Sequence, residues 1–193
     1  MKQHDIDFDK LGTRIQELLY RYVAVESITN TPGERGVEDF FRSYIEEIPY
    51  FTQHPDHWGL YPLEGDGLGR NVCWAMVRGR GDKAVVLVHH YDVVDIEDYK
   101  TLKPYAYTPD RLREELFRHK DMLPEDARKD LESGEFLFCR GGCDMKGAGP
   151  SSTPCWRPTA VCLILRAMSS SSAFPMRKIC PGACAARTSC WPI

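Results

Sequence analysis

Two short polar clusters hold residue types with catalytic or metal-binding chemistry. His89-His90-Tyr91-Asp92 follows the apolar run Ala84-Val85-Val86-Leu87-Val88, and Arg140-Gly141-Gly142-Cys143-Asp144-Met145-Lys146-Gly147 follows Phe136-Leu137-Phe138. Neutral imidazole and carboxylate are good ligands for a zinc-like ion. A second carboxylate that accepts the other ring proton of a ligand histidine fixes the orientation of that ring. His90 and Asp92 have the spacing for such a pair, because positions i and i+2 of an extended segment face the same side. The glycines beside Asp144 permit a tight turn that aims its carboxylate into the same crevice. The plainer alternative is that His90 and Asp92 cap a strand while Gly141-Gly142 only turns the chain, and a His-x-Asp triplet alone does not separate the two.

The elements that must position these clusters are legible in the hydrophobic pattern. From Asp9 to about Val25, Leu11, Ile15, Leu18, Leu19, Tyr22 and Val23 recur at helical spacing, which predicts an amphipathic helix with one buried stripe. Asn30-Thr31-Pro32-Gly33 makes a turn, and a second helix is expected from about Glu34 to Ile48, with Val37, Phe40, Phe41, Tyr44, Ile45 and Ile48 on one face. Asn71 to Val77 and Ala84 to Val88 read as strands joined by Gly79-Arg80-Gly81-Asp82. The continuous apolar character of Ala84 to Val88 predicts a strand covered on both faces, and the open end of such a strand is where α/β sheets place their ligand sites. Residues 99 to 132 are charged and helix-prone with a thin apolar stripe of Leu112, Leu116 and Phe117, the pattern of a surface insertion.

Composition sets the frame for this α/β reading. The chain has 193 residues, 42% of them hydrophobic, and a formal net charge of −3. This suits a globular protein and excludes disorder of the whole chain. Mixed charge gives no general affinity for nucleic acid or anionic lipid. No apolar stretch exceeds the length of Ala160 to Leu165, far short of a membrane helix, and the polar, acidic opening Met1-Lys2-Gln3-His4-Asp5 is unlike a signal peptide, so the expected location is cytoplasmic.

The charge total conceals a break. All 28 acidic residues lie before Gly147, while residues 147 to 193 carry five basic groups and no acid. That tail also holds five of the eight cysteines, six of the thirteen prolines and the run Ser169 to Ser172, a composition rich in breakers. The expected organisation is therefore an ordered part over residues 1–147 and a mostly unstructured tail over residues 148–193.

Together, Val88-His89-His90-Tyr91-Asp92-Val93-Val94 and Arg140-Gly141-Gly142-Cys143-Asp144-Met145-Lys146-Gly147 are far more specific than either cluster alone. They resemble the co-catalytic zinc hydrolases of peptidase family M twenty, which includes aminoacylases, acetylornithine deacetylase, succinyl-diaminopimelate desuccinylase and related dipeptidases. Tyr91 to Asp95 and the insertion with Leu123-Pro124-Glu125-Asp126 and Asp130 to Glu135 look like the arginine-utilisation, RocB-type branch. The resemblance covers nearly all of residues 9–147. It implies the N-terminal part of a zinc hydrolase domain, a mixed sheet flanked by helices, with His90 a ligand of one zinc, Asp92 orienting His90 in the catalytic site, and Asp144 bridging two zincs. Cobalt or manganese are possible substitutes. Substrates of the family are small peptides or N-acyl amino acids, cleaved at the amide bond by a metal-activated water with a Glu as general base. No nucleic-acid or membrane partner is implied, and the family's dimerisation domain is expected to be absent here.

Two departures matter. Cys139 stands where the family usually has the first Gly of Gly-Arg-Gly. After Gly147 the family continues with an apolar helix, an Asp-Glu-Glu carrying the base and a metal ligand, and further ligands, and none of these acids exists here. A frameshift accounts for the loss. Reading the third base of each codon with the first two of the next, Ser151 to Arg157 permit an apolar helix. In the same frame Phe174 to Cys184 permit Val-Pro-Asp-Glu-Glu-Asn-Leu-Ser-Arg-Gly-Met, with Asp-Glu-Glu on the codons of Met176, Arg177 and Lys178. The expected consequence is a chain of hydrolase descent that is inactive. The alternative is a noncatalytic fragment, or a small metal-binding or interaction module using Cys180, Cys184 and Cys190 with Cys139 and Cys143, although the spacings lack the usual C-x2-C knuckle. Ala160 to Leu165 could form a short strand by propensity. Loss of the helix after Asp144 is expected to leave one face of the Ala84 to Val88 strand open, with poor stability and aggregation as the result.

Overall fold

A computed structural model of the protein describes residues 7–79, 84–152 and 160–166. Helix α1 runs Phe8–Val23, opened by Asp7, whose carboxylate accepts the Lys10 N–H at 3.0 Å. A 3-10 turn at Pro32–Arg35 leads into α2, Gly36–Glu46. The expected single helix from Glu34 thus starts as a tighter turn, because Pro32 fixes the first turn and Glu34 is drawn inward as a buried group. A short α3 follows at Pro49–Gln53, and β1 at Trp58–Pro62.

Strand β2 is Asn71–Val77 and β3 is Ala84–His90, two residues longer than the apolar run alone suggests. The sheet closes with β4, Ala160–Arg166, in the order β1-β2-β4-β3. β1 and β4 are antiparallel to β2, while β3 and β4 are parallel. The result is a mixed sheet, as anticipated, with helices packed on it. The segment expected to be an unstructured tail thus contributes α6, Ala148–Ser152, and the strand between β2 and β3. Apolar β-branched content at Ala160 to Leu165 gives that stretch its strand character despite the breakers around it. Ser169 to Ser172, Cys180, Cys184 and Cys190 lie outside the described residues, as does most of the turn expected at Gly79 to Asp82.

Alternation in β2 places Cys73, Ala75 and Val77 against Leu18, Tyr22, Val37, Phe41 and Ile45 of α1 and α2. Tyr22 stacks on Phe40 with ring centroids 4.6 Å apart. The reading of β3 as covered on both faces is corrected: Val85, Val86 and Val88 are 50%, 40% and 50% exposed. Only Leu87 and His89 turn toward the helical layer. Phe136-Leu137-Phe138 forms no strand either. It lies between Gly134 and Gly141, both with left-handed φ, and forms no strand pairing among the described residues.

The insertion folds as α4, Pro109–Arg118, and α5, Glu125–Ser133, with Leu112 and Leu131 buried. Before them, a kinked 3-10 segment at Glu97–Tyr105 packs Ala106 and Tyr107 with Val93. Among the described residues, no helix is long and apolar enough to cross a membrane.

Candidate active site

The carboxyl end of β3 delivers His90 to the surface of the sheet, and the chain then turns beside residues 27–29. Ser27 donates its hydroxyl to the Tyr91 carbonyl at 2.6 Å, the Val93 N–H reaches the Ser27 carbonyl at 2.9 Å, and the Thr29 N–H reaches the Val93 carbonyl at 2.9 Å. This short ladder fixes Asp92 between His90 and the loop after α1. The Thr29 hydroxyl donates to Asp92 Oδ2 at 2.7 Å. The His90 Nδ1 lies 3.1 Å from the Asp92 carbonyl oxygen and 3.3 Å from Asp92 Oδ1. The backbone carbonyl is therefore the nearer acceptor for the ring proton, while the buried Oδ1 has no aligned hydrogen bond.

The second cluster reaches the same place from 54 residues away. His90 Nε2 and Asp144 Oδ1 are 3.0 Å apart. Gly141, at φ +75°, turns the chain there, and the Lys146 and Gly147 N–H groups reach back to the Gly141 and Gly142 carbonyls at 2.9 Å each. The peptide bond between Asp144 and Met145 is cis.

Two anchors hold this loop. The Arg140 N–H donates to the Ala106 carbonyl at 2.8 Å, and its guanidinium pairs with Asp98 and lies over the Tyr99 ring. The insertion thus braces the loop. Lys146 is fully buried, with Nζ donating to the carbonyls of Val25 at 2.5 Å and Tyr22 at 3.3 Å and lying over the Tyr22 ring. Burial lowers its pKa to about 8, so it remains an ammonium at neutral pH and donates, where α1 ends, to the Val25 carbonyl and to the Tyr22 carbonyl, which also accepts the Val25 N–H. Thr29 and Lys146 were not singled out in the sequence. Lys146 stands only two positions after Asp144 in the glycine-rich cluster, whereas nothing in the sequence marks Thr29.

The pocket around these groups holds about 620 Å³ and is lined by Thr29, Asp92, Val94, Cys139 and Cys143 besides His90 and Asp144. That volume suits a small organic ligand. Asp144 is 87% exposed and His90 24% exposed, so the donor pair faces the open mouth. An imidazole nitrogen and a carboxylate oxygen at 3.0 Å are spaced like two ligands of one cation, since zinc distances of about 2.0–2.2 Å in a tetrahedral field separate its ligands by roughly 3.3 Å. The residues fit a metal in kind but supply two donors: among the described residues, no third His, Cys, Asp or Glu side chain joins a ligand cluster with them. Burial raises the Cys139 thiol, which makes it a poor ligand.

His89 points the other way, buried against Tyr22, whose hydroxyl is 3.4 Å from its Nε2. Burial lowers its pKa from 6.5 to about 4, with the neighbouring His90 adding to the effect. The unfolded chain therefore takes up this proton first as the pH falls. The stabilisation tied to neutral His89 is complete above pH 6.5 and is lost as the pH drops toward 4, an expected loss of roughly 3 kcal/mol. Urea unfolding at stepped pH should show this component in the parent chain and lack it in His89→Gln. Equal pH slopes in the two would reject it.

No family model matches the chain. It is 41% identical over 130 residues to the uncharacterized Bacillus subtilis protein YqjN, a match that covers 67% of this chain and 23% of YqjN. It is 31% identical over 135 residues to Bacillus subtilis Protein RocB, covering 69% of this chain and 24% of RocB. The matched region is thus about a quarter of the length of either relative. Among solved structures, human carnosine dipeptidase 1 superimposes with a TM-score of 0.52 at 16% identity, covering 90% of this chain and 36% of that structure. The α/β fold is therefore shared with part of that dipeptidase.

Proposed function

We propose that the chain is a portion of a metal-dependent hydrolase of amide bonds, of the peptidase M twenty type and the RocB-like branch, and that by itself it does not catalyse hydrolysis. The observation that carries this reading is the 3.0 Å approach of His90 Nε2 to Asp144 Oδ1 at the open end of β3, made by two segments separated by a folded insertion. The sequence similarity to RocB and the fold shared with a dipeptidase support the same class.

In this reading, a bound zinc-type ion supplies Lewis acidity toward the substrate carbonyl. His90 Nε2 and Asp144 would hold it. The Asp92 carbonyl keeps the His90 ring turned toward the pocket by accepting at Nδ1, the Asp92 carboxylate lies 3.3 Å from the same nitrogen, and Thr29 keeps that carboxylate in place. A catalytic zinc site generally uses three protein ligands, and a base must stand within hydrogen-bond reach of the proton it takes. Residues after Asp144 contain no Asp, Glu or His to supply either. A shift of reading frame near Gly147 would account for that absence.

The test is a zinc titration of the full chain with His90→Ala and Asp144→Ala, beside hydrolysis assays on dipeptides and N-acyl amino acids. Weak binding at this site, lost with either substitution, and no hydrolysis are expected. A version with the reading frame restored at Gly147 is expected to gain tight metal binding. Hydrolysis by the present chain would overturn the proposal of inactivity. Metal binding by the restored chain that ignores both substitutions would overturn the site.

A further inference from the structure

A second group of potential ligands lies outside this pocket, where α3 gives way to β1. His54, Asp56 and His57 each offer a ligand atom, and these atoms all lie within 4.8 Å of one another. We propose that His54, Asp56 and His57 form a binding site for a borderline divalent transition cation of the zinc type, with Tyr50 as the residue that positions the His57 ring.

The local backbone presents the three side chains on one short turn. His54 leaves α3 with its N–H still bonded to the Tyr50 carbonyl at 3.0 Å. Pro55 then opens a single 3-10 turn, Pro55–His57, closed by the His57 N–H on the His54 carbonyl at 3.0 Å. Trp58 immediately joins β1, paired with Ala75 of β2. Both ends of the turn are thus tied to regular structure. Little chain entropy remains to be lost when its side chains converge.

The His57 ring is already oriented. Its side chain is 11% exposed, and Nδ1 lies 2.8 Å from the Tyr50 hydroxyl, which also accepts the Arg78 N–H at 2.9 Å. Nε2 is left facing Asp56 Oδ2 at 4.0 Å, beyond hydrogen-bond range. A ligand histidine whose other ring nitrogen is held by a polar partner has this arrangement. With its own proton turned aside, the hydroxyl can accept a hydrogen bond from Nδ1–H while Nε2 gives its lone pair to a metal. The His54 ring lies parallel to that of His57, centroids 4.9 Å apart and 14° between planes, and its nitrogens make no hydrogen bond among the described residues.

Packing on Tyr50 and on each other gives both imidazoles a structural role, but it gives no reason for the exposed Asp56 carboxylate to join them beside the His57 Nε2. Two imidazoles and one carboxylate suit zinc, cobalt, nickel or copper rather than magnesium or calcium. The ligand atoms already lie within 4.8 Å of one another, and His54 and Asp56, both exposed, have room to rotate toward the roughly 3.3 Å of a tetrahedral set. Water fills the remaining position.

The experiment uses the full chain carrying His90→Ala and Asp144→Ala, so that its outcome is independent of the pocket at β3. Zinc is titrated in competition with a chromophoric chelator. One bound zinc is expected to survive in this background. His54→Gln or Asp56→Asn should weaken it at least tenfold, and Tyr50→Phe by about tenfold through loss of ring orientation. Bound cobalt should show no thiolate charge-transfer band. Because His54 and Asp56 are exposed, their variants test the site without disturbing the core. Absence of binding in the background chain, binding unchanged by His54→Gln and Asp56→Asn, or a thiolate band that vanishes when Cys180, Cys184 and Cys190 are changed to Ser would each overturn the proposal.

Discussion

Replacing Arg70 by Ala is expected to destabilise the protein by about 3–5 kcal/mol, the usual cost of stranding one partner of a buried ion pair. The Arg70 guanidinium is nearly inaccessible and reaches Glu34 Oε1 at 2.9 Å and Oε2 at 3.1 Å, and Asp66 Oδ1 at 2.6 Å. Glu34 is wholly buried. Burial raises its carboxyl pKa, and Arg70 works against that rise by favouring the charged form. Without the guanidinium, Glu34 must either remain a buried charge or take up a proton. The damage reaches the pocket, because Glu34 also accepts the Asn30 N–H at 2.6 Å and so shapes the turn that presents Thr29 to Asp92. Urea unfolding at pH 7 measures the loss. The paired change Glu34→Gln with Arg70→Met should recover part of it, since the buried Glu34 charge is removed with its partner and only Asp66 is left without the guanidinium. A loss under about 1 kcal/mol for Arg70→Ala would mean that water reaches this pair.

Gly141→Ala is expected to cost roughly 2–5 kcal/mol and to abolish metal binding through Asp144. A Cβ at position 141 would lie 2.3 Å from the Val93 Cγ1, and the backbone there has φ +75°. The left-handed backbone costs an alanine about 1–2 kcal/mol, and overpacking against the buried Val93 about 1–3 kcal/mol. The loop can relieve both only by moving Asp144 away from His90. Thermal unfolding combined with zinc titration in the presence of His54→Gln reads both effects. Adding Val93→Ala should restore the overlap component and leave the backbone component. An unchanged zinc affinity in Gly141→Ala would show that the loop adjusts without shifting Asp144.

Which features the sequence disclosed depended on how local their causes are. The α1 stripe and β2 were legible because their periodicity is complete within the segment, and β2 was expected with the limits it has, Asn71–Val77. Helix α3 and β1 were missed. Each has five residues, and prolines flank or end them, so neither displays a full period. The strand order could not be read at all, since the place of β4 between β2 and β3 is a matter of long-range pairing. The same apolar run that suggested a doubly covered β3 lies at an edge of the described sheet. His90, Asp92 and Asp144 stood out by type and spacing. Thr29, Glu34 and Lys146 act on them through contacts across 63 residues or more in two cases, Thr29 to Asp92 and Lys146 to Val25, and no spacing rule encodes such contacts.

The placement of Cys73 gives the molecule an internal reporter of its own opening. Its side chain is completely enclosed between the sheet and the helical layer, and burial pushes its thiol far above the ordinary range. Cys143 lies exposed at the pocket mouth. An alkylating reagent needs thiolate and access together, so Cys143 is modified in the native protein while Cys73 is modified only when β2 separates from α1 and α2. The ratio of the two labelling rates, followed by peptide mass, therefore times the parting of sheet from helices without a dye or a denaturant.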